Sequence, residues 1–582
     1  MIIMHRNAKK SKTACILFTC CVIFLASINK NLCSSTAFAF SSIPSCRHIV
    51  DISNLSTGPT LSSRSYLHGK GELFEENMPR KKFNIFQKTC RKRKVLQATP
   101  NPIEITTLDE LDRAFSNTSI TGDAILKSIV VKGYTQQVGS PELPDFVHPV
   151  VQLLHERRRS RAGATRYSKD GFKVALSIEG GGMRGCVSAG MAAAIFHLGL
   201  QDCFDAVYGS SAGSLIGAYF ITRQLPWFGP EIYYDVLTSA GKKFIDTKRL
   251  MRALGLGLLD PRLLKDVITR PDHGKPVLDL SFLLKQTVQQ TKLLNWTKFV
   301  EMQEIQPLKV IASGLKSEKA MIFDMEKKSF NTLDELASCM HASMLLPGIA
   351  GPVMNIGRSD ERVEHIVRNI GNAELGNDFE PLADSLIYEP LPYRSALAEG
   401  ATHVVVLRTR PDGIDVTGKP GIFDRLLMRR FFLRKNKLPG IYSRMRRQEH
   451  KKVYAEDVIV LNEAATSERN YRDTSSPHLL PIALPPGSPE ITRLETDRKT
   501  ILEGVRRGFA RAYDALVEDP KERGRGVIVA KECFPDVILN YDPLKIVSPG
   551  TSAFENFVRE RSPDDAEEII SKAKGQQPSV AV

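Results

Sequence analysis

From residue 173 onward the chain alternates short, wholly apolar runs with longer stretches of helical spacing. KVALSI (173–178), DAVYGS (205–210), LKVIAS (308–313), HVVVLRT (403–409) and DVIVL (457–461) are the buried-strand candidates. Continuous apolar strands separated by helices predict a largely parallel sheet, because such strands must be dry on both faces. The intervening patterns predict helices over 187–198, 214–223 and 489–517, the last after a Pro-rich loop at 481–486. Upstream, Thr106 to Leu111 reads as a capped helix start and 145–159 as a second helix, followed by a basic linker over 157–166. No period of 20–50 residues repeats. The expected fold is therefore α/β, three layers deep, with a helical N-terminal arm. The chain divides into 1–37, 38–100, 101–168 (helical), 169–518 (the α/β domain) and 519–582, a charged, partly disordered extension that frays beyond about 548.

Charge changes this picture in two places. Residues 1–100 hold 16 Lys/Arg against 4 Asp/Glu, and 421–452 hold 11 against 2. The formal charge of +15 thus belongs to a leader and one local segment, and the rest is acidic on balance. A nucleic-acid binder carries its basic charge on its folded domain, so no nucleic-acid partner is expected. Basic residues at 5–12 precede an apolar run at 14–28, which is short of the roughly 20 residues of a membrane span and suits a signal peptide. Cleavage after Ala37 exposes Phe38, and 38–100 is basic, Ser-rich and acid-poor, as transit peptides are. This order resembles the bipartite leaders of algae with secondary plastids, so the plastid is the expected destination. The endoplasmic reticulum, the wider secretory pathway and an uncleaved anchor are the alternatives. Uniform cytosolic fluorescence of a protein fused to 1–100 would refute both the plastid and the secretory version.

In 421–452, Leu426, Leu427, Phe431, Phe432 and Leu433 mix with Arg425, Arg429, Arg430, Arg434, Lys435 and Lys437. That composition suits either an anionic membrane surface or a solvated helix packed on the core; membrane contact is the expectation. Beyond residue 90 only Cys186, Cys203, Cys339 and Cys533 remain, with no C-x-x-C pair. They read as buried small hydrophobes, and no metal site or cofactor is expected.

Two glycine-rich turns carry the candidate chemistry. The first is Glu179-Gly180-Gly181-Gly182-Met183-Arg184-Gly185, directly after the first strand of the domain. Its bare amides offer donors for a developing oxyanion, which needs N–H groups about 3 Å away. The second, Gly209-Ser210-Ser211-Ala212-Gly213, fits G-x-S-x-G between strand and helix. Small residues at Gly209 and Gly213 allow the sharp turn that projects Ser211 Oγ above the sheet edge. Each turn alone is weak: the first also suits phosphate cradling, although G-x-x-x-x-G-K-[ST] is absent and the dinucleotide pattern fails. Ser210 and Ser214 read as packing or capping residues, and His197, His341 and His403 as structural rather than triad histidines.

The pair of turns closely resembles the patatin-like phospholipase family, whose signature is a GGG-x-R-G loop, a G-x-S-x-G serine and a later Asp-Gly. Asp384-Ser385 is the counterpart of that third element, and the register is fixed by Ala396 to Val404. Met344-Leu345-Leu346-Pro347-Gly348 is similar to the stretch lining the family's acyl pocket, and the resemblance spans about 173–518. It implies a calcium-independent lipid acyl hydrolase acting on membrane glycerolipids. In that reading Ser211 is the nucleophile and Asp384 the base. Gly180, Gly181 and Gly182 hold the oxyanion, with Arg184 beside them to add positive potential, meet a lipid phosphate or pair with an acid. A carboxylate with the ordinary pKa of about 3.9 is a weak base for a serine, so Asp384 is expected to be desolvated. Ser385 departs from the family glycine. If that position needs φ > 0, a serine there strains the turn and re-aims Asp384. A catalytically impaired lipid-binding relative and an acyltransferase are the alternatives.

Overall fold

The computed structural model describes residues 103–116, 129–133, 135–160, 170–246, 276–346, 348–351, 353–359, 362–368, 379–416, 428–546 and 549–574. The leader at 1–100, residues 161–166 of the expected linker, and Arg425 to Leu427 lie outside these residues.

Nine strands form one mixed sheet in the order β11-β10-β3-β4-β5-β9-β7-β8, with β6 also on β5. Its parallel block is β11 (His478–Ile482), β10 (His403–Leu407), β3 (Val174–Ile178), β4 (Ala206–Ser210) and β5 (Leu308–Gly314). Its antiparallel flank is β6 (Lys319–Phe323), β7 (Met354–Ser359), β8 (Arg362–Arg368) and β9 (Phe379–Ala383). Every residue of β3, β4, β5, β10 and β11 is buried, which is why the first four read as apolar runs in the sequence.

Side chains alternate between two cores. Leu176, Val207 and Val405 point to one that also holds the helices Gly185–His197, Ala212–Ile221, Leu333–Met344 and Arg498–Leu516. Ala175, Tyr208 and Val404 point to the other, closed by Tyr393–Ala398, Glu449–Ala465 and Leu108–Ser116. This is the α/β/α layering expected. On the first face two helices touch through glycines: a Cβ on Gly190 would lie 1.9 Å from the Val505 carbonyl, and one on Gly508 the same distance from Val187 O.

Several elements differ from the sequence reading. DVIVL (457–461) is not a strand but part of the helix Glu449–Ala465, where Val458, Ile459 and Leu461 are buried. β11 contains Pro481, within the expected loop; as an edge strand with one neighbour it tolerates the missing N–H. The last predicted helix begins later, at Arg498, capped by Asp497 accepting from Thr500 N. The N-terminal arm is not only helical: β1 (Ile103–Ile105) and β2 (Ile129–Val131) pair in parallel beside it. Arg157, expected to open a basic linker, is buried in ion pairs with Asp170 and Asp205. The stretch beyond 519 is helical at Gly526–Cys533, Ala553–Arg561 and Ala566–Ala573, with Phe554 and Phe557 buried.

Candidate active site

The site forms where β3 and β4 end. Ser210 stands opposite Ile311 of β5, and Ala383 of β9 stands opposite Ser313 of the same strand. One residue further along, Ser211 and Asp384 are therefore level with Ala312. Their side chains meet: Ser211 Oγ donates to Asp384 Oδ2 at 3.0 Å.

The elbow is a strained turn held from several sides. Ser211 has φ +51°, a left-handed conformation that costs a non-glycine residue on the order of 1 kcal/mol or more. Its amide donates to Ser343 Oγ at 2.8 Å, and that hydroxyl in turn donates to Ile311 O at 2.5 Å. Ser214 Oγ caps the Ser211 carbonyl at 2.7 Å, and Ser210 Oγ donates to Glu389 O at 2.8 Å. The flanking hydroxyls are thus occupied as packing groups, as expected. A Cβ on Gly213 would lie 2.1 Å from Ile178 O, so only glycine lets the two turns approach. Sequence reasoning missed Ser343, which sits at the end of a helix 132 positions away; no local signal marks it.

The glycine loop lies against this elbow. A Cβ on Gly180 would come 2.6 Å from Ser211 Cβ. Glu179 and Thr409 hold the loop to the end of β10: the Thr409 amide donates to the Glu179 carboxylate and its hydroxyl to Gly180 O. Gly180, Gly181 and Gly182 line the cleft above Ser211. Arg184 is buried, and its guanidinium donates to Glu490 at 2.5 Å, so of its three expected roles the structure displays the pairing with an acid.

Asp384 is 3% exposed, and its Oδ1 accepts the Leu386 amide at 2.9 Å. Burial raises its carboxyl to about 6, against the Leu386 amide, the Ser211 hydroxyl and the Arg493 charge, which pull it down. The condition under which Ser385 would strain the turn, a positive φ, is not met. Ser385 is not among the positive-φ residues; it opens a right-handed 3-10 turn, Ser385–Ile387, capped by Asp384 itself. Its buried hydroxyl has no hydrogen-bond partner among the described residues.

The cavity over the dyad has a volume of about 590 Å³. Leu346, Ile349, Met428, Phe432 and Met445 give it an apolar wall. Of the expected acyl-pocket stretch, Leu346 lines it, Met344 and Leu345 are core, and Pro347 lies outside the described residues. Phe431, Phe432, Ile441 and Met445 of the basic segment are buried, so its apolar side faces the protein while Arg429, Arg430 and Arg434 stay exposed. His197, His341 and His403 do not line the cavity. His403 instead stacks on His478, its register partner where β10 and β11 begin. His450, which sequence reasoning passed over, does line it. Burial and the neighbouring Lys451, Arg493 and Arg444 hold its pKa down to about 3.

An α/β sheet with a serine on a strained strand-to-helix turn, a carboxylate on its hydroxyl and a glycine loop alongside defines a serine hydrolase type of site. Residues 176–397 match the family model described as patatin-like phospholipase, and that span contains Gly180–Gly182, Ser211 and Asp384. The chain carries a patatin-like phospholipase domain, and the general activity of that class is lipid acyl ester hydrolysis. Among solved structures, it is similar to VipD from Legionella pneumophila. The match has 11% identity, a TM-score of 0.28, and covers 70% of this chain and 89% of that one. No curated protein matches.

Proposed function

We propose that the chain cleaves fatty-acyl esters of membrane glycerolipids through an acyl-enzyme on Ser211. Asp384 takes the hydroxyl proton as Ser211 Oγ attacks the ester carbonyl, and the Gly180–Gly182 amides receive the oxyanion. The leaving alcohol departs with that proton, and a water deprotonated by Asp384 then releases the fatty acid. The observation that carries this reading is the 3.0 Å Ser211–Asp384 hydrogen bond at the floor of a cavity with an apolar wall. A carboxyl near pH 6 is a better-matched base at neutral pH than an ordinary aspartate. Substrate filling the cavity would exclude water and strengthen each of these interactions.

The exposed Arg429, Arg430 and Arg434 sit on the segment whose Met428 and Phe432 line the cavity. They are suited to hold the cavity mouth against an anionic bilayer. Transfer of the acyl group to an alcohol other than water would share the same acyl-enzyme. The test is fatty-acid release from phosphatidylcholine and galactolipid vesicles by the purified protein and its Ser211→Ala variant. Release should fall to background in the variant with the circular dichroism spectrum unchanged. Equal release by both proteins, or none by either, would reject the assignment.

A further inference from the structure

The loop between β11 and the helix Arg498–Leu516 is clamped onto the oxyanion loop. Met183 N donates to Arg493 O at 3.1 Å, and a Cβ on Gly182 would lie 2.8 Å from that same carbonyl. This clamp fixes Arg493 at the rim of the cavity, where its charge acts directly on Asp384. The side chain is exposed along the cavity, and among the described residues it makes no hydrogen bond and no ion pair; the carboxylates whose charge reaches it are Asp384 and Glu179. Two more guanidiniums stand behind it. Arg184 and Arg410 share one oxygen of Glu490, at 2.5 and 3.5 Å. The nearby Glu179 carboxylate is turned away, onto the Thr409 amide. Desolvation by the surrounding protein lowers the proton affinity of Arg493, repulsion from Arg184 and Arg410 adds to it, and attraction from Asp384 and Glu179 opposes it. An anion in the cavity would relieve that repulsion.

Two guanidiniums sharing the Glu490 carboxylate, and a third, Arg493, lining the same cavity as Ser211 and Asp384 with no ion pair among the described residues, supply the positive charge that a phosphate diester would meet. We propose that Arg493, backed by Arg410, binds the head-group phosphate of a phosphoglyceride while its acyl ester lies on Ser211. The enzyme then prefers phospholipids to uncharged galactolipids. This inference rests on the acyl-hydrolase reading, so the experiment must separate the two.

The substrates are dihexanoyl phosphatidylcholine below its micelle concentration, which removes any bilayer effect, and the uncharged ester p-nitrophenyl butyrate. The readout is the ratio of kcat/KM for the phospholipid to that for the uncharged ester. Loss of a charge-assisted contact should lower this ratio about tenfold or more in Arg493→Gln, chiefly through KM, and Arg493→Lys should recover part of it. An unchanged ratio in Arg493→Gln would overturn the head-group assignment while leaving the dyad standing. So would competition by inorganic phosphate, at constant ionic strength, that disappears in Arg493→Gln while the ratio does not move; the site would then belong to the free ion. Wild type inactive on both esters would remove the acyl-hydrolase reading and this inference with it.

Discussion

Two buried carboxylates in this molecule share a desolvated setting and differ in everything else. Asp384 and Asp235 are both almost wholly buried, and burial raises both carboxyls, to about 6 for Asp384. Asp235 is enclosed by fixed donors: Arg498 holds one oxygen at 2.6 Å and the Tyr541 hydroxyl holds the other at 2.9 Å. Its neighbour Glu231 pairs with the fully buried Lys292 and accepts from Ser552 Oγ, Ala553 N and Phe554 N. That cluster fastens the C-terminal helices to the domain. Asp384 has one fixed amide and one hydroxyl, and the hydroxyl belongs to a strained serine at the floor of a cavity. A raised carboxyl pKa therefore does not by itself mark a site. What distinguishes Asp384 is that its second partner can give up a proton and a substrate can reach it.

The sharpest break between the two regions is Asp384→Asn. Loss of a general base lowers kcat roughly 10²–10⁴-fold, measured on a short-chain ester. The same change should stabilise the protein. Because the folded carboxyl titrates near 6 and the unfolded one near 3.8, stability attached to this group is full at low pH and is lost as pH rises through about 4 to 6. The asparagine escapes that loss. Its melting temperature should exceed that of wild type at pH 8, with a gain of at most about 3 kcal/mol, and the gap should close near pH 4. A fall in melting temperature at pH 8 would place Asp384 with the structural carboxylates.

The reverse is expected at the other cluster. Lys292→Met removes the cation from a pair in which both side chains are fully buried, and breaking such a pair costs about 3–5 kcal/mol. The melting temperature should drop and proteolysis should reach the helices at 553–573 first, while turnover per folded molecule stays within about twofold. Lost turnover with an unchanged melting temperature would erase the contrast. The smallest effect is expected at Ser343→Ala, which deletes the acceptor for the Ser211 amide. A buried hydrogen bond is worth about 1–3 kcal/mol when one partner is left unsatisfied. A kcat about tenfold lower with an unchanged pH midpoint would assign Ser343 to positioning; a shifted midpoint would contradict that.

The legible part of this site is the part built within short stretches of chain. Strand, glycine turn and helix follow one another at 174–197 and again at 206–221, so periodicity and turn residues name them directly. Asp384 was found through its motif, but the effect of Ser385 was not, because strain depends on the handedness of a turn that only the folded chain reveals. DVIVL (457–461) is ambiguous in isolation; Tyr454, Val458 and Leu461 recur at helical spacing once its flanks are included. Ser343, Glu490 and Arg493 reach the site through tertiary packing alone. No spacing in the sequence could join residues 132 to 306 positions apart.

Catalysis at this site requires that Ser211 be activated by a carboxyl that titrates near 6. The direct measurement is the rate of labelling by a fluorophosphonate from pH 4 to 9, with the adduct located by peptide mass, in wild type and in Asp384→Asn. A base must be deprotonated, so the wild-type rate should rise with pH through a midpoint near 6, with the adduct confined to Ser211. In Asp384→Asn the rate should be much lower and lack that midpoint. An adduct on Ser210 or Ser214, or the same pH profile in both proteins, would contradict it.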